Sequence, residues 1–223
     1  MSPDLALALS LADDADRISL ARFRALDLRV ETKPDLTPVS EADRAVEAAL
    51  RERLARERPD DPVLGEEEGG GDPGGWILDP IDGTRNYTRG IPVWATLIAY
   101  ADRLAVVSAP ALGRRWWAER GAGAFAGGVP MRVSAIDRLE DATLVYGLDR
   151  PPPRRAWEAW HVRGFGDFWS HMLVAEGSAE AAFDAEGLAV WDTAPVKVIV
   201  EEAGGRFDDP VSWNGALDLA GLR

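Results

Sequence analysis

Apolar positions recur at helical spacing near the start of the chain, between an N-cap signal at Ser2-Pro3-Asp4 and about Leu28. Pro34 and Pro38 then disfavour helix in their predecessors, so VETKPDLTPVS is expected to be extended. A second helix starts at Ser40, carries Val46, Leu50 and Leu54 on one face, and stops at Pro59. From PVLG onward the period shortens. WILDPID, ATLIAY, LAVVSAP and RRWWAER read as strands joined by brief turns, with GAGAFAGG beyond them. From TLVYG the rhythm alternates: WHVRGF and AEAAFD are strand-like, DFWSHMLVAEG carries a helical stripe, and DTAPVKVIVEEAGG is a helix stopped by Gly204-Gly205. The pattern is that of an α+β protein, an antiparallel meander sheet followed by a smaller mixed α/β half, stacked in layers. PPPRR (151–155) marks the expected seam, dividing residues 1–140 from residues 141–223.

Composition narrows the function classes. The 223 residues include 38 acidic and 25 basic side chains, a net charge of −13, which argues against nucleic acid as a partner. No apolar run approaches the ~18–20 residues of a membrane span, and the N-terminus lacks the basic start of a signal peptide. Zero cysteines exclude disulfides, thiolate metal sites and a cysteine nucleophile, and they fit a cytoplasmic protein.

The acidic residues that matter sit at the ends of apolar runs. In Asp79-Pro80-Ile81-Asp82 the proline turns the chain so that two carboxylates can converge. Gly83 permits a conformation closed to other residues, and Thr84 can open a short helix whose N–H groups face a phosphate. Carboxylates for a hard cation beside donors for an anion suit metal-assisted phosphate chemistry. A plain turn uses the same residue types. Glu66 and Glu67 end another apolar run, although an acidic triplet is more often a solvated loop. Asp43 follows Ser40 in an S-x-x-D capping box, and Asp192 opens a helix, where an N-cap role accounts for it.

With LDPIDGTRNY and VWDTAPVKVIVEEAGG, the chain resembles the inositol monophosphatase-like, magnesium-dependent phosphatases over most of its length. RGIPVWATLIAY, VVSAPALGRRWWAERGAGAF and VRGFGDFWSHMLVAEG look most like the histidinol-phosphate phosphatase branch of histidine biosynthesis. The resemblance implies a layered αβαβα sugar-phosphatase-type fold, a homodimer, and a small phosphorylated metabolite as substrate. It implies Mg²⁺ held by Glu66, Asp79, Asp82 and Asp192 and by the Ile81 carbonyl, with Glu67 in or beside the ligand set. Most of the metal ligands would then come from residues 1–140, with Asp192 and the substrate pocket from residues 141–223. Glu66, Asp43 and Thr84 would activate the attacking water, and Gly83 and Thr84 would hold the phosphate. Gly166, Asp167 and Phe168 would line the leaving-group pocket, with Arg163 beside them. No histidine is needed, so His161 and His171 are expected to be structural.

The chain departs from that pattern in its short loops and compressed tail. The family's substrate-contacting acid lies before VWD, where FDAEGLAVWD offers Asp184 and Glu186 out of register. Two other readings therefore stand: a monophosphatase for inositol or another polyol or sugar, and a non-catalytic metal- or phosphate-binding relative.

Overall fold

The structure is a computed structural model that describes residues 1–34, 36–147 and 152–222. Pro151 of the expected seam lies outside the described residues; the rest of that stretch leads into a 3₁₀ turn at Arg154–Glu158.

Helix α1 (Pro3–Arg22) begins as its sequence predicts, with Ser2 Oγ accepting the Leu5 N–H at 3.1 Å and proline in the first turn. It ends six residues before Leu28. Arg24 adopts a left-handed φ of 62°, and its guanidinium donates to the Gly90 carbonyl; this tertiary contact overrides the continuing apolar pattern. β1 (Val30–Thr32) and β2 (Pro38–Ser40) form the expected extended segment as an antiparallel pair. α2 (Glu41–Glu57) follows at once, its capping box closed by Ser40 and Asp43.

β3 (Val63–Gly65) and the two-residue β4 (Gly69–Gly70) lead into β5 (Trp76–Asp82), and α3 (Thr84–Thr88) springs from its end. The meander comprises β6 (Ala95–Tyr100), β7 (Leu104–Ala109), β8 (Arg114–Glu119), β9 (Gly123–Ala126) and β10 (Val129–Met131). Together these strands make an eight-stranded sheet in the order β10-β9-β8-β7-β6-β5-β3-β4, antiparallel except where β3 runs beside β5. β11 (Thr143–Tyr146), β12 (His161–Gly164), α4 (Asp167–Ala175), β13 (Ala181–Phe183), α5 (Val190–Glu202), β14 (Arg206–Asp208) and β15 (Val211–Trp213) complete the chain. The second sheet is mixed, in the order β12-β11-β13-β15-β14.

Strand alternation decides the layering. Trp76 and Leu78 of β5 face α1 and α2, joining Leu11, Leu50 and Leu54 in one core. Ile77, Leu97 and Val107 face the other way, against Phe168 and Met172 of α4 and Val196 and Ile199 of α5. The second sheet closes over α4 through Val145, Ala182 and Val174. Its outer face is covered by Ala156 of the 3₁₀ turn together with Leu217 and Leu222 of the tail, so the last helical layer of the αβαβα stack is thin. The candidate site lies where β5 ends and α4 and α5 begin.

Candidate active site

Asp79 and Asp82 stand three apart, a spacing that would place them on opposite faces of a regular strand. A bulge corrects this. Asp79 pairs with Leu97 and Asp82 with Ala95, so two residues of β5 lie opposite the single Thr96 of β6. Proline suits the bulge because it has no N–H to leave unpaired, and Thr96 Oγ1 donates to the Pro80 carbonyl at 2.8 Å. Both carboxylates therefore approach Asp192 from the α5 side. Ligand oxygens of Asp79, Asp82 and Asp192 lie within 4.8 Å of one another.

These carboxylates are placed where ionisation is costly. Burial raises the pKa of Asp79 well above the usual carboxylate range, reinforced by Glu66, Asp82 and Asp192. Asp82 is raised well by burial and by Asp167 and Asp192, against the Phe168 N–H that donates to its Oδ2 at 2.6 Å. Burial also lifts Asp192 to about 6, opposed by the Ala189 N–H and helped by Glu66 and Asp184. Asp192 is the third residue of α5 and accepts that N–H at 2.8 Å; Ala189, and not Asp192, occupies the N-cap position expected from the sequence. At such spacing each ionised pair repels by ~3 kcal/mol at an effective dielectric of about 20.

The donor set fits a hard divalent cation. It is all oxygen, it is over-supplied with negative charge, and Asp79 Oδ1 is buried with no hydrogen-bond partner among the described residues. A bound cation would supply the missing partner and remove the repulsion together.

Glu66 and Glu67 lie on the same side but are held differently. Lys33, in the turn between β1 and β2, donates to Glu66 Oε1 at 2.8 Å and to Glu67 Oε1 at 2.7 Å. Burial opposes the Lys33 charge, yet the two carboxylates outweigh it and raise its pKa. Burial also raises Glu67, against the Lys33 hydrogen bond. Lys33 thus holds one oxygen of Glu66, the carboxylate that the resemblance assigns to the metal, while Glu66 also lies within hydrogen-bond reach of Asp79. A lone lysine in an extended loop gives no signal of this, so it was not among the residues expected at the site.

Asp43 serves two partners. Its Oδ2 accepts from Ser40 N at 2.9 Å and Ser40 Oγ at 2.5 Å, while Oδ1 faces Thr84 Oγ1 at 3.1 Å. Burial raises its pKa despite these bonds. Thr84 Oγ1 is also 2.9 Å from the Ile81 carbonyl, so its single proton chooses between two acceptors. Gly83 caps α3 at a left-handed φ of 82°, and a Cβ there would lie 3.1 Å from the Val93 carbonyl oxygen.

Beyond Asp82 lies a cavity of about 110 Å³ lined by Asp82, Asp167, Phe168, Asp184 and Asp192, with His171 and Leu188. Gly166 caps α4 with φ 77°, and Asp167 follows at φ 54°. Phe168 contributes its N–H, because its ring is buried against Trp116. Arg163 and Glu186 are exposed and do not line the cavity, whereas Asp184 does, despite its displaced register. His171, expected to be structural, is buried in the cavity wall. Asn86 joins two walls of the site, donating to the Val93 carbonyl at 2.8 Å and lying 3.5 Å from Asp167 Oδ2; it stands within TRNY, but nothing in that motif marked its role.

The family model for the inositol monophosphatase family matches residues 1–213. A histidinol-phosphatase from Mycobacterium tuberculosis is 51% identical over 92% of this chain and 86% of its own length. Another, from Streptomyces coelicolor, is 49% identical over 92% of this chain and 85% of its own. Among solved structures, the extragenic suppressor protein SuhB from Bartonella henselae superposes with a TM-score of 0.87 at 28% identity, covering 96% of this chain and 95% of that one.

Proposed function

This chain belongs to the inositol monophosphatase family, and we propose that it is a Mg²⁺-dependent phosphomonoesterase whose substrate is histidinol phosphate. One observation carries the chemistry: carboxylates from β5 and α5, more than a hundred residues apart in sequence, converge beside a hydroxyl–carboxylate pair. The names of the two histidinol-phosphatase relatives, at 51% and 49% identity, support the substrate.

In this reading Asp79, Asp82 and Asp192 hold the ion, with the Ile81 carbonyl and Glu66 as further oxygen donors once Lys33 yields Glu66. The bound ion supplies charge neutralisation and Lewis acidity at the phosphate. The remaining work falls to the protein. With its O–H directed at Asp43 and not at the Ile81 carbonyl, Thr84 can take a proton from the attacking water on its oxygen as it passes its own proton to Asp43. Asp43, raised in pKa by burial, is the acceptor toward which that proton moves. Gly83 and Thr84 open α3, where N–H groups without intrahelical acceptors face the phosphate oxygens. The cavity beyond Asp82 receives the alcohol. Exposed Trp157, Trp160 and Phe165 beside the β12 edge support a homodimer, and elution at the monomer mass would remove that part of the reading.

The test is phosphate release from histidinol phosphate and from neutral polyol phosphates with and without Mg²⁺. The expected result is metal-dependent turnover with at least tenfold preference in kcat/KM for histidinol phosphate. Release from none of these esters rejects the phosphatase; equal rates on all of them reject the substrate.

A further inference from the structure

His171 is a buried basic side chain in the wall of an otherwise acidic cavity, and the chemistry described so far does not use it. It sits on the inner face of α4 at 2% exposure. Its Nδ1 lies 2.5 Å from Ser212 Oγ on β15, and its Nε2 lies 3.5 Å from Asp184 Oδ2, just beyond β13. Ser212 is itself fully buried, opposite Ala182 in the β13–β15 ladder.

The geometry restricts the proton positions. A bare Nε2 lone pair facing a carboxylate would be repulsive, so the ring carries a proton on Nε2. In the neutral ring Nδ1 then accepts from Ser212; in the imidazolium it donates to Ser212. Either way Nε2–H points at Asp184. At 3.5 Å the contact exceeds a full-strength hydrogen bond, and its pull is electrostatic. Asp184 is seated from two further sides. Its Oδ1 accepts the Ala185 N–H at 2.8 Å, and it rests so close to Gly147 that a Cβ there would lie 2.5 Å from Oδ1. A bare α-carbon just past the end of β11, a backbone donor and a clamped imidazole thus hold one carboxylate at the cavity wall with its side chain 10% exposed.

That carboxylate is well placed to read charge. No lysine or arginine lines the cavity among the described residues. Asp82 and Asp192 belong to the cation site, which leaves Asp167 and Asp184 to face the alcohol portion of a substrate, and Asp184 is the one that His171 clamps. Desolvated carboxylates bind ammonium groups through charge-assisted hydrogen bonds. We propose that His171 is the positioning residue of the leaving-group subsite: clamped by Ser212, it fixes Asp184 so that this carboxylate pairs with the cationic group of an amino-alcohol phosphate. The inference rests on the phosphatase reading and adds the residue pair through which an amino alcohol is told from a neutral polyol.

The experiment measures kcat and KM with Mg²⁺ for histidinol phosphate and for glycerol 2-phosphate, using the wild type and the variants Asp184→Asn, His171→Phe, His171→Gln and Ser212→Ala. D184N and H171F are expected to lower the ratio of the two kcat/KM values at least tenfold, chiefly through KM for the amino alcohol. H171Q keeps a side-chain N–H donor and is expected to recover part of the ratio. Adding H171F to D184N is expected to lower the ratio no further, since both act on one contact. A smaller fall for D184N, or an equal loss on both substrates for H171F, overturns the proposal. If H171F does not fold, S212A and H171Q decide it: both must lower the ratio, and a wild-type ratio in both overturns it. Wild-type protein that hydrolyses neither ester rejects the phosphatase reading itself, and this inference with it.

Discussion

Asp79 lies opposite Leu97 and Asp82 opposite Ala95, so the bulge at Pro80-Ile81 turns two carboxylates that a regular strand would separate onto one side of β5. The site depends on this local irregularity. A strand without the extra residue would direct Asp82 toward the α2 face, away from Asp192.

The first prediction concerns the cation. Binding to the folded state alone at a hundredfold excess over Kd adds about 2.7 kcal/mol, roughly 5–10 °C in Tm for a chain of this size. Mg²⁺ should therefore raise the wild-type Tm, while Asp79→Asn should raise the Tm of the metal-free protein and lose most of the Mg²⁺ effect. Thermal melts with EDTA and with millimolar Mg²⁺ check both. A wild-type Tm indifferent to Mg²⁺ contradicts a preformed site.

Stability should depend on pH in a direction set by the same cluster. Asp79, Asp82 and Asp192 have raised pKa values when folded, so between about pH 4 and beyond 6 the metal-free folded state binds more protons than the unfolded chain. The slope of unfolding free energy against pH is then negative: these groups favour the fold at acid pH and cost stability as pH rises. Mg²⁺ favours the ionised forms and should reverse the trend. Urea titrations from pH 4 to 8 should show the metal-free wild type losing ground to Asp192→Asn; parallel curves for the two would refute the assignment.

Lys33 predicts a competition. Its ammonium neutralises Glu66 and Glu67 in the metal-free protein, so Lys33→Met should lower the metal-free Tm and tighten Mg²⁺ binding several-fold. Calorimetric titration reads the affinity directly. Weaker Mg²⁺ binding in K33M would mean that the lysine orders the site and does not compete for it.

Thr84 should matter through its hydroxyl. Thr84→Val keeps shape but removes the proton relay, with an expected loss of 10²–10⁴ in kcat. Thr84→Ser should retain most of the rate. Steady-state kinetics separate these outcomes, and comparable activity in T84V would remove Thr84 from the proton path.

Particular residues mark how far the linear order of residues could be read. The Ser40–Asp43 box was legible as a cap, and it is one; Asp43 simply uses its second oxygen for Thr84. α1 ends six residues before the point its apolar pattern predicts, because Arg24 finds its acceptor in Gly90, sixty-six positions away. Glu66 was legible as a carboxylate at a strand end, but its partner Lys33 was not, since a solvated lysine and an ion-paired one look alike in a string of letters. His171 gave no functional signal, as its meaning comes from Ser212 and Asp184 on other elements.

Periodicity, caps and turn chemistry are local, so residue order alone fixed the layered fold, the strand that ends in paired aspartates, and the types of chemistry those aspartates permit. Which oxygens lie close enough to share a cation, which carboxylates a lysine claims, and which acids line the cavity beyond Asp82 depend on contacts between elements far apart in the chain. Those were decided only when the strand ends and helix starts packed together, because charge and burial act through distances that sequence spacing does not contain.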